Sequence, residues 1–405
     1  MNTTVLLATT SRWFPTARLA VTLANAGCQV HAVCPQGHPI SKTVVGRHTF
    51  TYDALTPLRS FSAAISKTNP DLIVSGDDLA TWHLHELYRR SLKAGASGAA
   101  RAQLIERSLG APEHFPIVED RASFIQIAHE AGVRVPANSI ISNSEQLQNW
   151  AANASFPAVI KANGTSGGEG VLLVKSAAAA LSAFNYLHAP PFFTRAIKRA
   201  ILDRDATLLR PSLLRQKAVV NAQSFIQGRE ATSALACWNG TVLASLHFEV
   251  LQKSHASGHA TVLRRTAHPE MIAATETMVR RLRLSGLQGF DFMLDAQTSA
   301  AYLIEINPRA TQVCHLNLGE RQDLPGALVS ALTGMPVTPS PSVTQNDVIT
   351  LFPQEWARNP ASPYIRSGYH DVPWEQPALL RACLRKPSQM ATLWGLAKRR
   401  PRNPK

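Results

Sequence analysis

Short apolar runs alternate with amphipathic stretches through the first third of the chain. Val5–Ala8 predicts a strand, Thr16–Ala26 a helix and Gln29–Cys34 a second strand. The unit then repeats. Leu58–Thr68 reads as a helix, Asn69-Pro70 as its stop, Asp71–Ser75 as a strand, and Gly76-Asp77-Asp78 as the entry to a helix reaching about Leu92. Strands separated by helices build an open, largely parallel α/β sheet whose binding crevice lies at the carboxyl ends of the strands. The loops after Ala8 and Ser75 are therefore expected to line it. Thr9-Thr10-Ser11-Arg12 contains no glycine, so the Gly-rich dinucleotide fingerprint is absent and a nicotinamide or flavin role loses support.

From Asp120 the pattern changes character. A helix is predicted over Ala122–Ala131 with a stop at Gly132, followed by Val133–Pro136 and a short helix capped near Asn143 or Ser144. Strands follow at Ala158–Lys161, Val171–Val174, Val219–Phe225, Thr232–Trp238 and Thr241–Val250, with Asn239-Gly240 as a hairpin turn. A helix over Pro269–Leu284 leads to a last hairpin, Leu287–Asp295 with Ala301–Ile306. This is an α+β region with antiparallel sheets. Beyond about Thr338, prolines at 339, 341, 353, 360 and 363 suggest an irregular extension with little core of its own.

At 405 residues and 45% hydrophobic content the chain can fill two or three packed domains. The formal charge of +14 is concentrated in two segments: residues 381–405 hold eight Lys/Arg and no acid, and residues 195–217 hold seven Lys/Arg against Asp203 and Asp205. The rest is nearly neutral, so the charge does not mark a protein that coats nucleic acid, and no specific nucleic-acid partner is expected. The longest uncharged run, Ser176–Thr194, is Ala-rich and broken by Pro190-Pro191, and does not read as a membrane span. Five scattered cysteines without a CxxC pair fit reduced thiols, and no basic residue precedes Val5–Ala8 as a secretory leader would require. The cytoplasm is the expected compartment.

Two places carry chemistry. Val159-Ile160-Lys161 ends a strand in a lysine, and the next turn holds Gly164, Ser166, Gly167, Gly168 and Gly170. Glycines let backbone N–H groups approach phosphate oxygens while the lysine supplies a point charge, although a flexible hairpin with a surface lysine has the same sequence. The hairpin is sharper. A turn centred near Thr298 sets Asp291 opposite Glu305, and like charges so placed destabilise a sheet unless something neutralises them. Asn307 follows on the same face, completing an all-oxygen set suited to Mg²⁺ or Mn²⁺.

Lys161 with its glycine loop, Phe225-Ile226-Gln227-Gly228-Arg229-Glu230, Asp291, and Glu305-Ile306-Asn307-Pro308-Arg309 together resemble the ATP-grasp superfamily, closest to its carbamoyl-phosphate-synthase-like members. The resemblance covers roughly residues 115–325, and the first α/β unit resembles the pre-ATP-grasp domain. It implies a two-lobed α+β fold with ATP between the lobes and Mg²⁺ on its phosphates. Lys161 then contacts the α/β-phosphates and the Gly164–Gly170 loop closes over them. Phe225 and Ile226 match the hinge that meets adenine, Glu230 the acid that holds the ribose, and Arg121 an early basic residue that reaches phosphate. Asp291, Glu305 and Asn307 match the metal ligands, and Arg309 the residue that orients the γ-phosphate or the carboxylate being phosphorylated. Gln223 departs from the pattern, standing where many relatives have Glu.

The expected organisation is a pre-ATP-grasp domain over 1–112, an ATP-grasp domain over 113–335 and a Pro-rich basic extension over 336–405. The expected activity is ligation: Mg·ATP activates a carboxylate as an acyl phosphate, which an amine or related nucleophile attacks. Carbamoyl-phosphate-type activation of bicarbonate and a non-catalytic ATP-binding module are the alternatives. His255 and His259 are four apart, but Ser257-Gly258 between them argues loop rather than helix, His83 and His85 are two apart on a predicted helix and do not share a face, and no G-x-S-x-G elbow occurs. Basic residues interleaved with Phe, Trp and Leu in 192–217 and 381–405 suit an anionic membrane surface or an acidic substrate, as well as a plain solvated surface.

Overall fold

The computed structural model describes residues 3–162, 170–190, 197, 212–215, 217–256, 258–335 and 341–384. Its first sheet contains β1 (Thr4–Ala8), β2 (Gln29–Cys34), β3 (Thr49–Thr51) and β4 (Leu72–Ser75), all parallel in the order β3-β2-β1-β4. Four of the five β1 residues are buried, as a strand covered on both faces requires. Helices α1 (Phe14–Asn25), α2 (Pro57–Thr68), α3 (Asp78–Lys93) and α4 (Ala99–Leu109) accompany it. Asp77 caps α3 by accepting from the Ala80 N–H at 2.9 Å. Two short helices, α5 (Phe115–Glu119) and α6 (Arg121–Glu130), lead onward.

A second, antiparallel sheet has the order β5-β8-β6-β7, from β5 (Asn138–Ile141), β6 (Ala158–Ala162), β7 (Val171–Val174) and β8 (Val220–Ser224). Its apolar face packs on α7 (Ser144–Asn153) and α8 (Ala177–His188) through Ile160, Ala222, Leu147 and Phe184. Asn143 caps α7, bonding the Gln146 N–H at 2.8 Å. The first part of the Ala-rich run that fails as a membrane span forms α8, capped by Ser176; its helicity comes from alanine's intrinsic preference, which apolar periodicity alone does not display.

The third sheet runs β13-β12-β9-β10-β11-β14-β15, from β9 (Gly228–Trp238), β10 (Thr241–Lys253), β11 (Ala260–Arg265), β12 (Gly286–Asp295), β13 (Ala301–Asn307), β14 (Val348–Thr350) and β15 (Tyr369–His370). Helices α9 (Pro269–Arg281) and α10 (Leu324–Thr333) cover it. The Asn239-Gly240 turn has φ of 45° and 80°, the doubly positive geometry of a two-residue hairpin. Strand β9 begins four residues before the expected Thr232, and Gly228 pairs with Asp295 so closely that a Cβ there would lie 1.8 Å from the Leu294 carbonyl oxygen.

The segment after residue 340 departs from the expected irregular extension. Strand β14 pairs with β11, and Leu351, Phe352, Val372 and Leu379 join the same buried cluster as Val5, Leu19, Leu246 and Leu324. Asp371 accepts from Arg18 Nη2 at 2.9 Å and contacts His315 Nε2 at 2.7 Å, tying this segment to α1 and to the loop after β13. A three-residue strand is too short to show a period, so the prolines dominated the sequence pattern. Among the described residues, no helix is long and apolar enough to cross a membrane. All five cysteines are free thiols, four of them buried.

Because Leu351 is 1% exposed within the shared cluster, Leu351→Ala should cost about 2–5 kcal/mol in chemical denaturation. A loss within about 0.5 kcal/mol, typical of a surface position, would show that the segment is peripheral.

Candidate active site

The hairpin of β12 and β13 is built around two facing carboxylates. Asp291 pairs with Glu305 and Gly289 with Asn307, then the register shifts and Phe292 pairs with Leu303, leaving Ile304 as a bulge. Each acid has its own partners. Asp291 accepts from Thr232 Oγ1 at 2.8 Å and from Asn307 Nδ2 at 2.9 Å. Glu305 Oε1 accepts from Arg121 Nη2 at 2.7 Å and Nε at 3.2 Å, while Arg121 Nη1 donates to the Ala162 carbonyl at 2.8 Å. Arg121 thereby joins the end of β6 to β13. Thr232 escaped the sequence reading because the pairing of β9 with β12 has no local signal.

Burial and the facing Glu305 push the Asp291 carboxyl up to about 6, against the opposing pull of Thr232, Asn307 and Arg309. Burial pushes the Lys161 ammonium down to about 8, a shift opposed by Glu305 and reinforced by Arg121. Burial thus weakens the charged form of both groups. Anionic phosphate would stabilise the lysine and a divalent cation the carboxylates. The donor chemistry fits such a cation: two carboxylates and one amide, all oxygen, on one face of a hairpin. Among the described residues, no cluster of three or more His, Cys, Asp or Glu side chains forms a rival site.

Lys161 lies on the sheet face turned away from the buried Ile160 and Ala162, next to Asn221 and Val171 in register. Gln223 occupies the same face beside Val159 and Asn138, and is buried. Asn221, also buried, belongs to this row and was missed although it is two residues from Gln223, the strand period. Phe225, Ile226 and Gln227 are the link by which β8 of the second sheet continues into β9 of the third. Phe225 is 37% exposed. Glu230 pairs in register with Met293 and shares the sheet face of Thr232 and Asp291; its carboxylate meets Lys253 Nζ at 2.5 Å rather than the Asp291 group. Gly170, with φ 77°, closes the base of the glycine loop by accepting from the Ala162 N–H at 2.9 Å. Gly164, Ser166, Gly167 and Gly168 lie outside the described residues.

Arg309 closes the group. Its guanidinium donates to Asp78 Oδ1 at 3.0 Å, Asn307 Oδ1 at 3.1 Å and the Ala310 carbonyl at 3.2 Å, and sits 5.6 Å from the Trp13 ring centroid. Burial works against its charge, but Asp78, Asp77 and Asp291 outweigh it and hold the group protonated. The structure therefore connects Arg121, Glu305, Asp291, Asn307 and Arg309 in one polar network, with Lys161 close enough to feel both acids.

A lysine at a strand end before a glycine loop, a two-sheet link, and a carboxylate hairpin ending in Asn-Pro-Arg are the features by which the chain resembles ATP-grasp proteins. Residues 120–318 match the family model of the carbamoyl-phosphate synthase L chain, ATP binding domain. The carbamoyl phosphate synthase large chain of Kocuria rhizophila is 25% identical over 213 residues, 50% of this chain and 16% of that protein. The match thus spans a small part of that relative's length. Among solved structures, carboxyaminoimidazole ribonucleotide synthase of Aspergillus clavatus, complexed with ATP, is similar with a TM-score of 0.58 at 14% identity, covering 83% of this chain and 78% of that one. The biotin carboxylase domain of Hydrogenobacter thermophilus 2-oxoglutarate carboxylase, solved with MgADP and bicarbonate, gives 0.57 at 13%, covering 84% and 72%. These likenesses show the fold, a parallel N-terminal sheet followed by an antiparallel and a mixed one.

The facing acids make a prediction about the metal-free protein. An unfolded Asp ionises near 3.8 whereas Asp291 in the fold ionises near 6, so holding its charge costs stability that grows as pH rises between those values. Asp291→Asn should raise stability by about 1–3 kcal/mol at pH 7.5 with metal chelated, and by much less near pH 4. Urea denaturation at both pH values measures the difference; a destabilised variant at pH 7.5 would show that the acids are not in conflict.

Proposed function

We propose that the protein is an ATP- and Mg²⁺-dependent ligase that activates a carboxylate as an acyl phosphate for attack by an amine or related nucleophile. The observation that carries this is the facing, half-buried pair Asp291 and Glu305, with Lys161 near enough to feel both and with Asn307 two residues and Arg309 four residues after Glu305. A pure nucleotide-binding module has less need of the complete set. Three parts organise it: a pre-ATP-grasp domain over 1–112, a two-lobed ATP-grasp domain over 113–335 with the nucleotide between the lobes, and the remainder over 336–405.

In this reading Lys161 and Arg121 neutralise phosphate oxygens, with the loop from Gly164 through Ser166, Gly167 and Gly168 to Gly170 over them. The backbone of Phe225 and Ile226 meets the adenine, Gln223 lies beside it, and Glu230 accepts from the ribose hydroxyls in place of Lys253. Asp291, Glu305 and Asn307 hold Mg²⁺ or Mn²⁺, which supplies charge neutralisation at the phosphates. Arg309 orients the γ-phosphoryl group against the substrate carboxylate. A carboxylate oxygen attacks the γ-phosphorus and the bond to the β–γ bridging oxygen breaks, releasing ADP. The nucleophile then attacks the carbonyl carbon, the bond to the phosphate oxygen breaks, and phosphate leaves as the nucleophile loses a proton. Positioning and electrostatics, rather than covalent help from the chain, are what such a transfer needs.

ADP release from Mg·ATP with a panel of carboxylates, bicarbonate included, each with and without amines, tests the reading. A carboxylate-dependent rate supports it; nucleotide binding without release from any combination leaves the binding module. Lys161→Met should weaken ATP binding by about 1.5–3 kcal/mol in calorimetry while the variant stays folded, and Glu305→Gln should bind nucleotide but not turn over.

A peripheral membrane contact is proposed for the two basic segments, 192–217 and 381–405. Trp374, 74% exposed, precedes the second of these and Leu384, 45% exposed, lies at its start, so both give the basic run an apolar neighbour. Salt-sensitive co-sedimentation with anionic but not neutral vesicles, weakened by deleting residues 385–405, is the expected result; no binding at low salt refutes it.

A further inference from the structure

The N-terminal sheet has so far no part in the chemistry. Its ligand crevice should open at the carboxyl ends of β1 and β4, where the loops after Ala8 and Ser75 meet. The chain fills that place itself. The Asp77 carboxylate accepts from Thr9 Oγ1 at 2.7 Å, Thr10 N–H at 2.6 Å, Thr10 Oγ1 at 2.8 Å and Ser11 N–H at 3.2 Å, besides the capping bond from Ala80. An internal carboxylate thus takes the donors a bound phosphate would take. At Gly76 even a Cβ would lie 3.1 Å from Thr9 Cβ and Thr16 Cγ2, so the corner is closed as well as occupied.

The corner serves the hairpin instead. Ser75 O accepts from the Ala310 N–H at 2.9 Å, Thr81 Oγ1 donates to the Pro308 carbonyl at 2.8 Å, and Asp78 Oδ1 accepts from Arg309 Nε at 3.0 Å. Three consecutive residues of the strand end are therefore held by one β4–α3 corner more than 220 positions earlier in the chain. The backbone bonds at Pro308 and Ala310 already fix the course of the chain. Asp78 and Trp13 add something separate, since they meet the guanidinium itself: a carboxylate on its Nε edge and an indole over its face. Side-chain exposures of 17% for Arg309 and 21% for Asp78 leave little room for the fork to swing.

We propose that Asp78 and Trp13 are positioning residues for Arg309, locking the plane of its guanidinium so that the N–H groups not used by Asp78, Asn307 and Ala310 point at the oxyanion being phosphorylated. The inference rests on the role given to Arg309 above. A planar fork of five donors delivers charge in two fixed directions only when its plane is fixed, and small misplacement of such a group is costly in rate. Asp78 sits in the first turn of α3, where the helix N-terminus favours a carboxylate, so its own position is secured.

The test uses the full chain. Selective ¹⁵N labelling of arginine, with Arg309→Lys to assign the signal, reads the Arg309 Nε–H directly: slow exchange and a distinct shift in the wild type, loss of both in Asp78→Ala. In steady state, with bicarbonate and the carboxylate panel as probes, Asp78→Ala should lower kcat about 10–100-fold, with KM for ATP and melting temperature nearly unchanged. Asp78→Asn, which keeps the acceptor but not the charge, should recover most of the loss, and Trp13→Phe more than Trp13→Ala. An unchanged Nε–H signal in Asp78→Ala overturns the proposal, as does a fall in kcat that tracks a fall in melting temperature. If the wild type releases no ADP with any probe, the ligase reading has failed; the Nε–H signal still decides whether Asp78 holds Arg309.

Discussion

Two carboxylates facing each other across an antiparallel pair repel, and the sheet that carries them must supply compensation from elsewhere in the chain. At Asp291 and Glu305 the compensation comes from three directions. Thr232 reaches across from β9, Asn307 turns back along β13, and Arg121 arrives from the start of α6. The bonds from Thr232 and Arg121 also fix β9 and α6 relative to the hairpin. Arg121 does so twice, because the same guanidinium also binds the carbonyl at the end of β6 and so brings Lys161's strand to the acids. The electrostatic conflict and the alignment of the second and third sheets are therefore one problem with one solution.

That solution is incomplete in a useful way. Asp291 remains hard to ionise and Lys161 easy to deprotonate, although each would favour the charged form of the other at close range. The reason is burial, which penalises both charges more than their mutual attraction repays. A ligand that brings phosphate to the lysine and a cation to the acids removes both penalties at once.

Much of this was legible because it is local. The turn near Thr298 set the register of β12 and β13 by counting, and Asp291 does face Glu305. The count could not foresee the bulge at Ile304, which shifts the pairing beyond Asp291, since a bulge depends on neighbours the sequence does not name. Helix caps at Asp77 and Asn143, and the Asn239-Gly240 turn, were readable for the same reason: each is a bond within a few residues. Thr232, Asn221 and Asp78 were not, because their importance comes from strands and corners that meet only in the folded chain. The Pro-rich segment after 340 shows the opposite failure. Its prolines punctuated a stretch whose few apolar residues, Ile349, Leu351 and Phe352, complete the core begun by β1 and α1.

The N-terminal sheet gains a meaning from that shared core. Its residues Val5, Leu7 and Leu19 pack in one cluster with Leu246, Leu287 and Leu324 of the third sheet and its helix, so the corner after β4 is anchored to the sheet that carries the acids. Rigid support is what an electrostatic site requires, because preorganised charges act without reorganising when the reacting group arrives. Asp77, by filling its own crevice, gives up a ligand site and stiffens the loop from which Asp78 extends. The parallel sheet thus contributes geometry to the antiparallel hairpin that carries the facing acids.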